Sequence, residues 1–247
     1  MSGPVVTVVA TGGGVVRAEL TRPGLDAATL AKLTAALEAA EADMSARVLV
    51  IASRQPGVFC TGMPLSGGTL PNEAADAQER LVELALRLAR SSLVTVALVD
   101  GDAFAGGLAL CAACDLLVAG PRARFRVTEL HFGLLPALLL PVLARRIGHH
   151  RAVTMALTAR TLDAWQAADA GLADHTGEEA ESTLRQVLRA LRRADPGATA
   201  ALKEYANRLA PPDSFGPEHA TRLFREHLAR PGLRERLDEL VRQGVLR

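Results

Sequence analysis

The first fifty residues alternate short apolar runs with one segment of helical periodicity. Apolar runs of strand length cover residues 5–10 and 15–20 on either side of three consecutive glycines, a pattern that predicts a β-hairpin. After Asp26, a residue type that often caps helix N-termini, leucines recur at spacings of three and four through residue 40, which predicts an amphipathic helix. The apolar run over 48–52 predicts a strand, and the order strand–helix–strand predicts a parallel pair with a right-handed crossover.

The stretch from residue 94 to residue 136 predicts a strand, a glycine turn and a buried helix. Residues 94–99 have the composition of a buried strand, and the turn signal Asp100-Gly101 follows. Residues 105–107 are Ala-Gly-Gly, and the Leu/Ala/Cys run over 108–117 suits a buried helix. Such a turn places backbone N–H groups at a helix N-terminus, where they bind an anion or a developing oxyanion. Glycines that only allow close packing of helix on strand produce the same pattern.

The rest of the chain predicts mainly helices. Residues 58–70 are rich in Gly and Ser and indicate a loop, which is either a lid over a ligand or an ordinary surface loop. The pair Pro211-Pro212 separates the last helix, a design typical of a tail that packs on a neighbouring subunit. The predicted helices cover residues 71–90, 137–147, 151–158, 162–168, 178–193, 197–209 and 220–243.

The composition indicates one large aliphatic core in a protein of 247 residues. Hydrophobic residues make up 49% of the chain and aromatic residues only 3%, so Ala, Leu and Val must fill the core. The formal net charge of +1 gives no signal for a nucleic-acid partner, and no apolar run is long enough to span a membrane. Three cysteines, an odd and low count, favour a reducing compartment. We therefore expect a cytoplasmic protein in which Cys111 and Cys114 are small core residues and not metal ligands.

Several motifs, in this order and at this spacing, resemble the crotonase superfamily, the enoyl-CoA hydratase/isomerase family. They are FCTGM at 59–63, GDAFAGGLALCAACD at 101–115, RFRVTELHFGLLP at 124–136, RRIGHHRA at 145–152 and LTARTLDAWQAADAGLAD at 157–174. The resemblance implies an α/β fold, a crotonase-like spiral of repeated β-β-α units with a helical C-terminal region that takes part in trimerisation. It implies a core over residues 1–190, a C-terminal helical region over 191–247, and a homotrimer or a dimer of trimers.

The segments FCTGM and TELHFGLLPALLLPVLARRIG resemble, more narrowly, the hydratase-like dehydratases of polyketide β-branching cassettes. In those enzymes 3-hydroxy-3-methylglutaryl, held on an acyl carrier protein, loses water to give 3-methylglutaconyl. The resemblance implies a lyase whose partner is an acyl carrier protein or a CoA thioester. The substrate brings its own phosphopantetheine arm, and no metal or other cofactor is implied.

Seven residues of this chain are predicted to form the site, and several of them match functional positions of the family. The backbone N–H groups of Met63 and Gly106 match the oxyanion hole for the thioester enolate, where one donor is typically worth roughly 3–4 kcal/mol. Glu129 matches a catalytic glutamate, and its apolar neighbours leave two readings, a desolvated acid with a raised pKa or a solvated loop charge. The remaining predicted substrate contacts are Gly62, Gly107, Ala109 and His131.

Two positions depart from the patterns of the family. Ala109 stands where the hydratases carry a second glutamate. Because hydration uses two carboxylates, plain hydration of enoyl-CoA should be poor, and the β-branching dehydratases also lack this glutamate. Pro64 stands where those dehydratases usually carry an aspartate, which predicts slower, altered or absent activity. No lysine lies between Lys32 and Lys203, which disfavours the decarboxylase of the same cassettes.

Three further activities therefore compete with carrier-protein dehydration. They are hydration or isomerisation of an enoyl-CoA, decarboxylation of a CoA or carrier-protein thioester, and weakly active or inactive acyl binding by a protein that keeps only the fold. The first two stay within the superfamily, and the third is suggested by the residues at positions 64 and 109. A comparison of CoA and carrier-protein thioesters distinguishes them.

Two groups of basic residues have both functional and structural interpretations. On an extended chain His131 would point the same way as Glu129, where it would bind a distal substrate carboxylate or tune Glu129. A structural or surface histidine is the alternative. Arg145, Arg146 and Arg151 would meet a phosphate of phosphopantetheine or an acidic carrier protein, or would form a solvated helix end.

Overall fold

Short strands and helices alternate along the chain, and the computed structural model describes them for residues 3–64 and 71–243. The strands are β1 (Val6–Ala10), β2 (Val15–Leu20), β3 (Val48–Ser53), β4 (Gly57–Cys60), β5 (Val94–Val99), β6 (Gly101–Phe104), β7 (Leu116–Ala119), β8 (Arg124–Arg126), β9 (Leu162–Asp163) and β10 (His175–Thr176). The helices are α1 (Ala27–Ala42), α2 (Pro71–Arg90), α3 (Gly106–Ala112), α4 (Leu139–Ile147), α5 (His149–Thr158), α6 (Ala164–Asp169), α7 (Ala180–Leu191), α8 (Pro196–Leu209), α9 (Pro217–Leu228) and α10 (Leu233–Arg242), and a 3₁₀ helix covers Glu129–Phe132. None of the helices in these ranges is both long enough and apolar enough to cross a membrane.

Two sheets share the strands, and the chain passes from one sheet to the other within the β-β-α units that follow the first. The larger sheet has the order β1-β2-β3-β5-β7-β10, and the smaller sheet has the order β4-β6-β8-β9. In three successive units the first strand (β3, β5, β7) joins the larger sheet and the second strand (β4, β6, β8) joins the smaller one. The predicted α/β fold of repeated β-β-α units is confirmed.

The first unit forms as its sequence predicts. Strands β1 and β2 make the antiparallel hairpin, and β2 pairs with β3 in parallel across helix α1. The Asp26 side chain accepts a hydrogen bond from the Thr29 N–H at 2.7 Å, which satisfies one of the free donors at the start of α1. Leu30, Leu33 and Leu37 of this helix are buried in the core, as their spacing predicts.

The buried helix predicted over residues 108–117 is shorter than expected. Helix α3 ends at Ala112, and the chain then enters strand β7. Asp115 explains the break, because its side chain accepts hydrogen bonds from the N–H and the hydroxyl of Thr95 at 2.7 and 2.8 Å. These bonds tie the segment to β5, so it continues as a strand of the larger sheet.

Two other boundaries differ from the prediction. The loop predicted over 58–70 begins with strand β4, which pairs with β6, while residues 65–70 lie outside the described residues, so the lid stays a prediction. The last predicted helix, over 220–243, is two helices in the structure. The break falls at Pro231, which has no N–H to donate, and at Gly232, which takes a positive φ of 81°.

Polar anchors and one aromatic side chain hold the C-terminal helices to the core. The Lys203 ammonium of α8 donates to the Asp115 carboxylate and to the Leu93 carbonyl, both at 2.6 Å. Phe224 of α9 is buried. Helix α8 also exposes three large apolar side chains, Leu202, Tyr205 and Leu209. The trimerisation role of this region, and its boundary at residue 191, stay predictions.

Asp115→Ala should lower the free energy of unfolding by about 3 kcal/mol, because it leaves the half-buried Lys203 ammonium and the buried Thr95 groups without their partner. Urea denaturation followed by circular dichroism measures the loss. The matched control is Asp213→Ala, since its ion pair with Arg90 is exposed on both sides and such pairs contribute about 0–1 kcal/mol. Equal losses in the two variants would contradict the anchoring role of Asp115.

Candidate active site

A cavity of about 730 Å³ lies between the loop after β4, the start of α3 and the 3₁₀ helix. The structure brings six of the seven sequence-predicted site residues to its wall, namely Gly62, Met63, Gly106, Ala109, Glu129 and His131. The seventh, Gly107, is buried against β4, where a Cβ would lie 2.1 Å from the Cys60 carbonyl oxygen. The close approach of α3 to β4 therefore explains this glycine without a substrate contact.

The loop that carries Gly62 is fixed by the segment that follows β2. The Leu25 N–H donates to the Gly62 carbonyl at 2.9 Å, and the Thr61 N–H donates to the Pro23 carbonyl at 2.8 Å. Gly62 has a φ of 87°, in the region that favours glycine. A Cβ at Gly62 would also lie 2.9 Å from the Gly106 nitrogen. The two loops thus meet at their main chains, and the missing side chain of Gly62 leaves the Gly106 N–H uncovered.

Ala105, immediately before α3, holds a strained backbone conformation. Its φ of 47° and ψ of −124° lie outside the regions that residues with a Cβ normally adopt, at a cost of order 1–3 kcal/mol. The Arg126 carbonyl of β8 accepts its N–H at 3.1 Å and so helps to hold this conformation. Within residues 3–64 and 71–243, the N–H groups of Gly106 and Met63 have no protein acceptor, so both are available to a ligand oxygen.

Glu129 is the buried carboxylic acid of the cavity, with only 8% of its surface exposed. Its Oε2 accepts the Thr128 N–H at 2.9 Å. Burial disfavours the charged form and raises the pKa of Glu129 from 4.5 to about 7, although hydrogen bonds from its own N–H and that of Thr128 act in the opposite direction. Of the two readings left open by the sequence, the structure has the desolvated acid. A carboxyl group with this pKa exchanges a proton readily near neutral pH.

His131 shares the cavity with Glu129, but the expectation that both side chains leave an extended chain on the same side is wrong. The segment is a 3₁₀ helix, closed by the Gly133 N–H, which donates to the Leu130 carbonyl at 3.2 Å. Gly133 takes a left-handed φ of 79° to end this turn. His131 is half-buried, and its Nδ1 lies 3.3 Å from Nη2 of Arg126.

The cavity residues that the sequence-based set omits include two with polar side chains of interest, Gln78 of α2 and Arg126 of β8. Gln78 is 4% exposed, and its amide has no hydrogen bond to any of the described residues. The helical periodicity of the sequence could have indicated Gln78, because this residue lies on the buried leucine face of α2, one turn before Leu81. No sequence pattern indicated that Arg126 lines the cavity. It stands between buried Phe125 and Val127, and the alternation of a strand predicts that its side chain is turned to solvent.

The three arginines of the predicted basic cluster donate hydrogen bonds to other segments of the fold. Arg146 donates to the carbonyl oxygens of Cys114 and Leu172, both at 2.8 Å. Arg151 donates to the carbonyl that ends α6, and Arg145 donates to a side-chain amide of α8, each at 3.1 Å. Arg145 and Arg151 are exposed, as a solvated helix end predicts, whereas Arg146 is half-buried. A contact with a phosphate or a carrier protein stays a prediction.

The three free cysteines are buried. Burial raises the pKa of the Cys60 and Cys114 thiols to about 12, and it raises the pKa of Cys111 still further. The thiols of Cys111 and Cys114 contact carbonyl oxygens of helix α3 at 3.3 and 3.6 Å, so they pack as the small core residues that the sequence predicts. In the described part of the chain, no group of three or more His, Cys, Asp or Glu side chains has the arrangement of a metal site.

A second cavity, of about 780 Å³, lies between α2, α4 and the C-terminal helices α8 and α9. Of its charged groups, Lys203 is paired with Asp115 and Arg146 with Asp174, and Arg145 donates to the Asn207 side-chain oxygen. Glu129 and the two free amides all line the first cavity instead. We therefore place the candidate active site in the first cavity, and hereafter "the cavity" means that one.

Comparison with known proteins identifies relatives of the chain. The family model for enoyl-CoA hydratase/isomerase matches residues 10–224. The chain is 33% identical over 176 residues to the bacillaene synthase dehydratase PksH of Bacillus subtilis (strain 168), a match that covers 68% of this chain and 67% of that protein.

Solved structures are similar over nearly the whole chain. An enoyl-CoA hydratase from Mycobacterium avium superposes with a TM-score of 0.88 at 27% identity and covers 98% of both chains. The structure of pksH from Bacillus subtilis superposes with a TM-score of 0.84 at 26% identity and covers 94% of both chains. The spiral of β-β-α units expected from the motifs is therefore shared with these proteins.

Glu129→Gln should stabilise the protein more at pH 8 than at pH 5. A folded-state pKa of about 7, above the ordinary value of 4.5, means that folding takes up a proton between these values. The wild type therefore loses stability as the pH rises through this window, whereas the neutral amide does not. The stability difference between variant and wild type should grow by about 2 kcal/mol from pH 5 to pH 8.

Urea denaturation at the two pH values measures this difference. Glu204→Gln, which neutralises an exposed carboxylate of α8, is the control and should show no such growth. A difference for Glu129→Gln that is the same at both pH values would contradict the raised pKa.

Proposed function

Because the chain belongs to the enoyl-CoA hydratase/isomerase family, we propose that it is a lyase that removes water from a 3-hydroxyacyl thioester. Its proposed substrate is 3-hydroxy-3-methylglutaryl on an acyl carrier protein in polyketide biosynthesis, and its product is the 3-methylglutaconyl thioester. The observation that carries the proposal is Glu129, a buried acid with a pKa of about 7 in the cavity that the Met63 and Gly106 amides line. Similarity to a bacillaene synthase dehydratase supports the choice of dehydration and of a polyketide intermediate.

In the proposed mechanism the N–H groups of Met63 and Gly106 hold the thioester oxygen. The Glu129 carboxylate takes a proton from the α-carbon, and the electron pair of that C–H bond forms an enolate whose charge rests on the held oxygen. As the enolate collapses, the double bond between the α- and β-carbons forms and the C–O bond of the β-carbon breaks. Glu129 returns its proton to the departing hydroxide, so water leaves and the carboxylate is restored.

One carboxylic acid performs both proton transfers in this proposal, because Ala109 occupies the position of the second glutamate and is itself buried in the cavity wall. Gln78 offers an amide that can hydrogen-bond but cannot exchange a proton, and we assign it to hold the 3-hydroxyl group. Pro64 also lines the cavity and contributes no carboxylate, so the reaction must proceed without one at that position.

The partners follow from the substrate. The thioester is carried by the phosphopantetheine of an acyl carrier protein, with CoA as the alternative carrier. The two amides and Glu129 supply the contacts that the elimination needs, so the proposal requires no further cofactor. The exposed apolar side chains of α8 support self-association, which we propose to give a homotrimer or a dimer of trimers, and the low cysteine count supports a cytoplasmic location.

Glu129→Gln should lower kcat/KM for 3-hydroxy-3-methylglutaryl carrier protein by about 10³-fold, because the amide cannot take the α-proton. Mass spectrometry of the carrier protein follows the loss of water. The control Glu204→Gln removes an exposed carboxylate and should keep wild-type turnover.

Unchanged turnover in Glu129→Gln would remove this residue from the mechanism. Faster turnover of the CoA ester than of the carrier-protein thioester would favour a CoA-dependent activity over the proposed one. Binding of the thioesters with no turnover of either would favour the acyl-binding protein.

Gly62→Ala should abolish most of the activity, because its Cβ would lie 2.9 Å from the Gly106 nitrogen and cover the N–H that holds the oxyanion. Loss of one such donor lowers kcat by about 10²–10³-fold. Gly12→Ala is the matched control, since Gly12 has a similar φ of 79° but open space around its Cβ position. Both variants should lose about 1–2 kcal/mol of stability from the positive φ, and only Gly62→Ala should lose turnover. Full activity in Gly62→Ala would exclude Gly106 from the oxyanion hole.

A further inference from the structure

Two positively charged residues of the cavity, Arg22 and Arg126, form no ion pair with a described carboxylate, and Arg126 is the one that lies beside a second polar side chain, that of His131. Arg126 is half-buried and lines the cavity, and no carboxylate of the described ranges, 3–64 and 71–243, forms an ion pair with its guanidinium. Removing a cation from water without a counter-ion is unfavourable. In a cavity that receives acyl thioesters, an anion that arrives with the ligand is the natural counterpart.

We propose that Arg126 and His131 form a carboxylate-binding subsite, which selects acyl thioesters that carry a second acid group at the far end of the acyl chain. The inference rests on the proposed function and deepens it, because it names the part of the substrate that the cavity recognises. It assigns to Arg126 a role in specificity and none in proton transfer.

The Arg126 guanidinium is fixed in position but only partly used. Its Nε donates to the Ala159 carbonyl at 2.9 Å, and its Nη2 lies 3.3 Å from Nδ1 of His131. Its Nη1 has no acceptor in the described part of the chain. Free N–H groups therefore remain on the edge of the guanidinium formed by Nη1 and Nη2. Two such parallel N–H groups match the two oxygens of a carboxylate.

His131 contributes a second kind of donor. An arginine N–H always donates, so Nδ1 of His131 must accept the bond from Arg126, and the proton of the neutral imidazole then sits on Nε2. This leaves an Nε2–H for the ligand. The turn that carries His131 is held from outside by α10, because Nε of Arg236 donates to the His131 carbonyl at 2.8 Å.

None of the acidic residues of the cavity forms an ion pair with Arg126. Asp26 caps α1, and Asp102 makes no ion pair with any described residue, although Arg124 lies opposite it in the register of β6 and β8. Glu129 is the proton-transfer group of the proposed mechanism, and its bonds run to backbone N–H groups. None of the three is recruited to neutralise Arg126 internally, so the cation is kept available.

The position of Arg126 points to the acyl chain and not to the phosphate of the carrier arm. Its carbonyl oxygen accepts the Ala105 N–H, one residue from the Gly106 amide that we assign to the thioester oxygen. The distal carboxylate of a glutaryl chain is a few carbon–carbon bonds from that oxygen. The phosphate lies at the opposite end of the pantetheine arm.

The test compares Arg126→Gln with the wild type on two CoA thioesters, 3-hydroxy-3-methylglutaryl and 3-hydroxy-3-methylbutyryl, which differ by the distal carboxylate. Loss of a charged hydrogen-bonded pair should lower kcat/KM for the glutaryl ester by about 10–100-fold and leave that for the butyryl ester within about threefold. Arg126→Lys keeps the positive charge but not the planar pair of donors, so its kcat/KM for the glutaryl ester should lie between those of the wild type and Arg126→Gln. Arg124→Gln, an exposed arginine of the same strand outside the cavity, should change neither value.

A binding experiment keeps the inference independent of turnover. Calorimetry with glutaryl-CoA and butyryl-CoA should show a preference of the wild type for the glutaryl ester, and Arg126→Gln should lose that preference. If no 3-hydroxyacyl thioester is dehydrated but this preference is present, the proposed function fails and the subsite stands.

Three results would overturn the subsite. The first is an equal loss for both acyl groups in Arg126→Gln. The second is a wild type that does not prefer the glutaryl ester in binding or in turnover. The third is a loss that appears with CoA esters but disappears with pantetheine esters that lack the phosphate, which would make Arg126 a phosphate contact.

Discussion

The site depends on the contact between two main chains at Gly62 and Gly106. Sequence-distant loops can converge on one ligand oxygen only if their backbones approach closely, and here a single methyl group at Gly62 would fill the gap. Hydrogen bonds on both sides hold the two main chains in this contact. The segment after β2 bonds to the loop of Gly62, and the carbonyl of Arg126 accepts the N–H of the strained residue before Gly106. The small side chains of the core, which is poor in aromatic residues, allow equally close contacts of helix and strand elsewhere, as at Gly107.

Two unfavourable features of the structure meet at the cavity, and both have a use. The fold tolerates a backbone strain at Ala105 and a carboxylic acid removed from water at Glu129. Each costs stability. Strain and buried acids tend to occur together where a protein must hold a charge that develops during a reaction, since both preset the surroundings of that charge.

Patterns that depend on neighbouring residues were readable from the sequence, and patterns set by distant contacts were not. The hairpin, helix α1 and helix α2 follow from periodicity and capping, and the motifs located the glycines and the glutamate of the site. The end of α3 depends on Asp115 reaching Thr95, twenty residues earlier in the chain. The inward position of Arg126 depends likewise on a distant contact, because the carbonyl of Ala159, which follows α5, accepts a hydrogen bond from the guanidinium.

Arg126 serves the site through two different parts of one residue. Its carbonyl oxygen supports the loop at Ala105, and any amino acid at that position supplies the same oxygen. Its side chain is the part that we propose to meet the ligand. Evolution can therefore exchange the residue on this strand and explore new acyl preferences while the inherited loop geometry persists. Such a separation within a single residue offers a route by which one ancestral spiral diversifies its chemistry in small, viable steps.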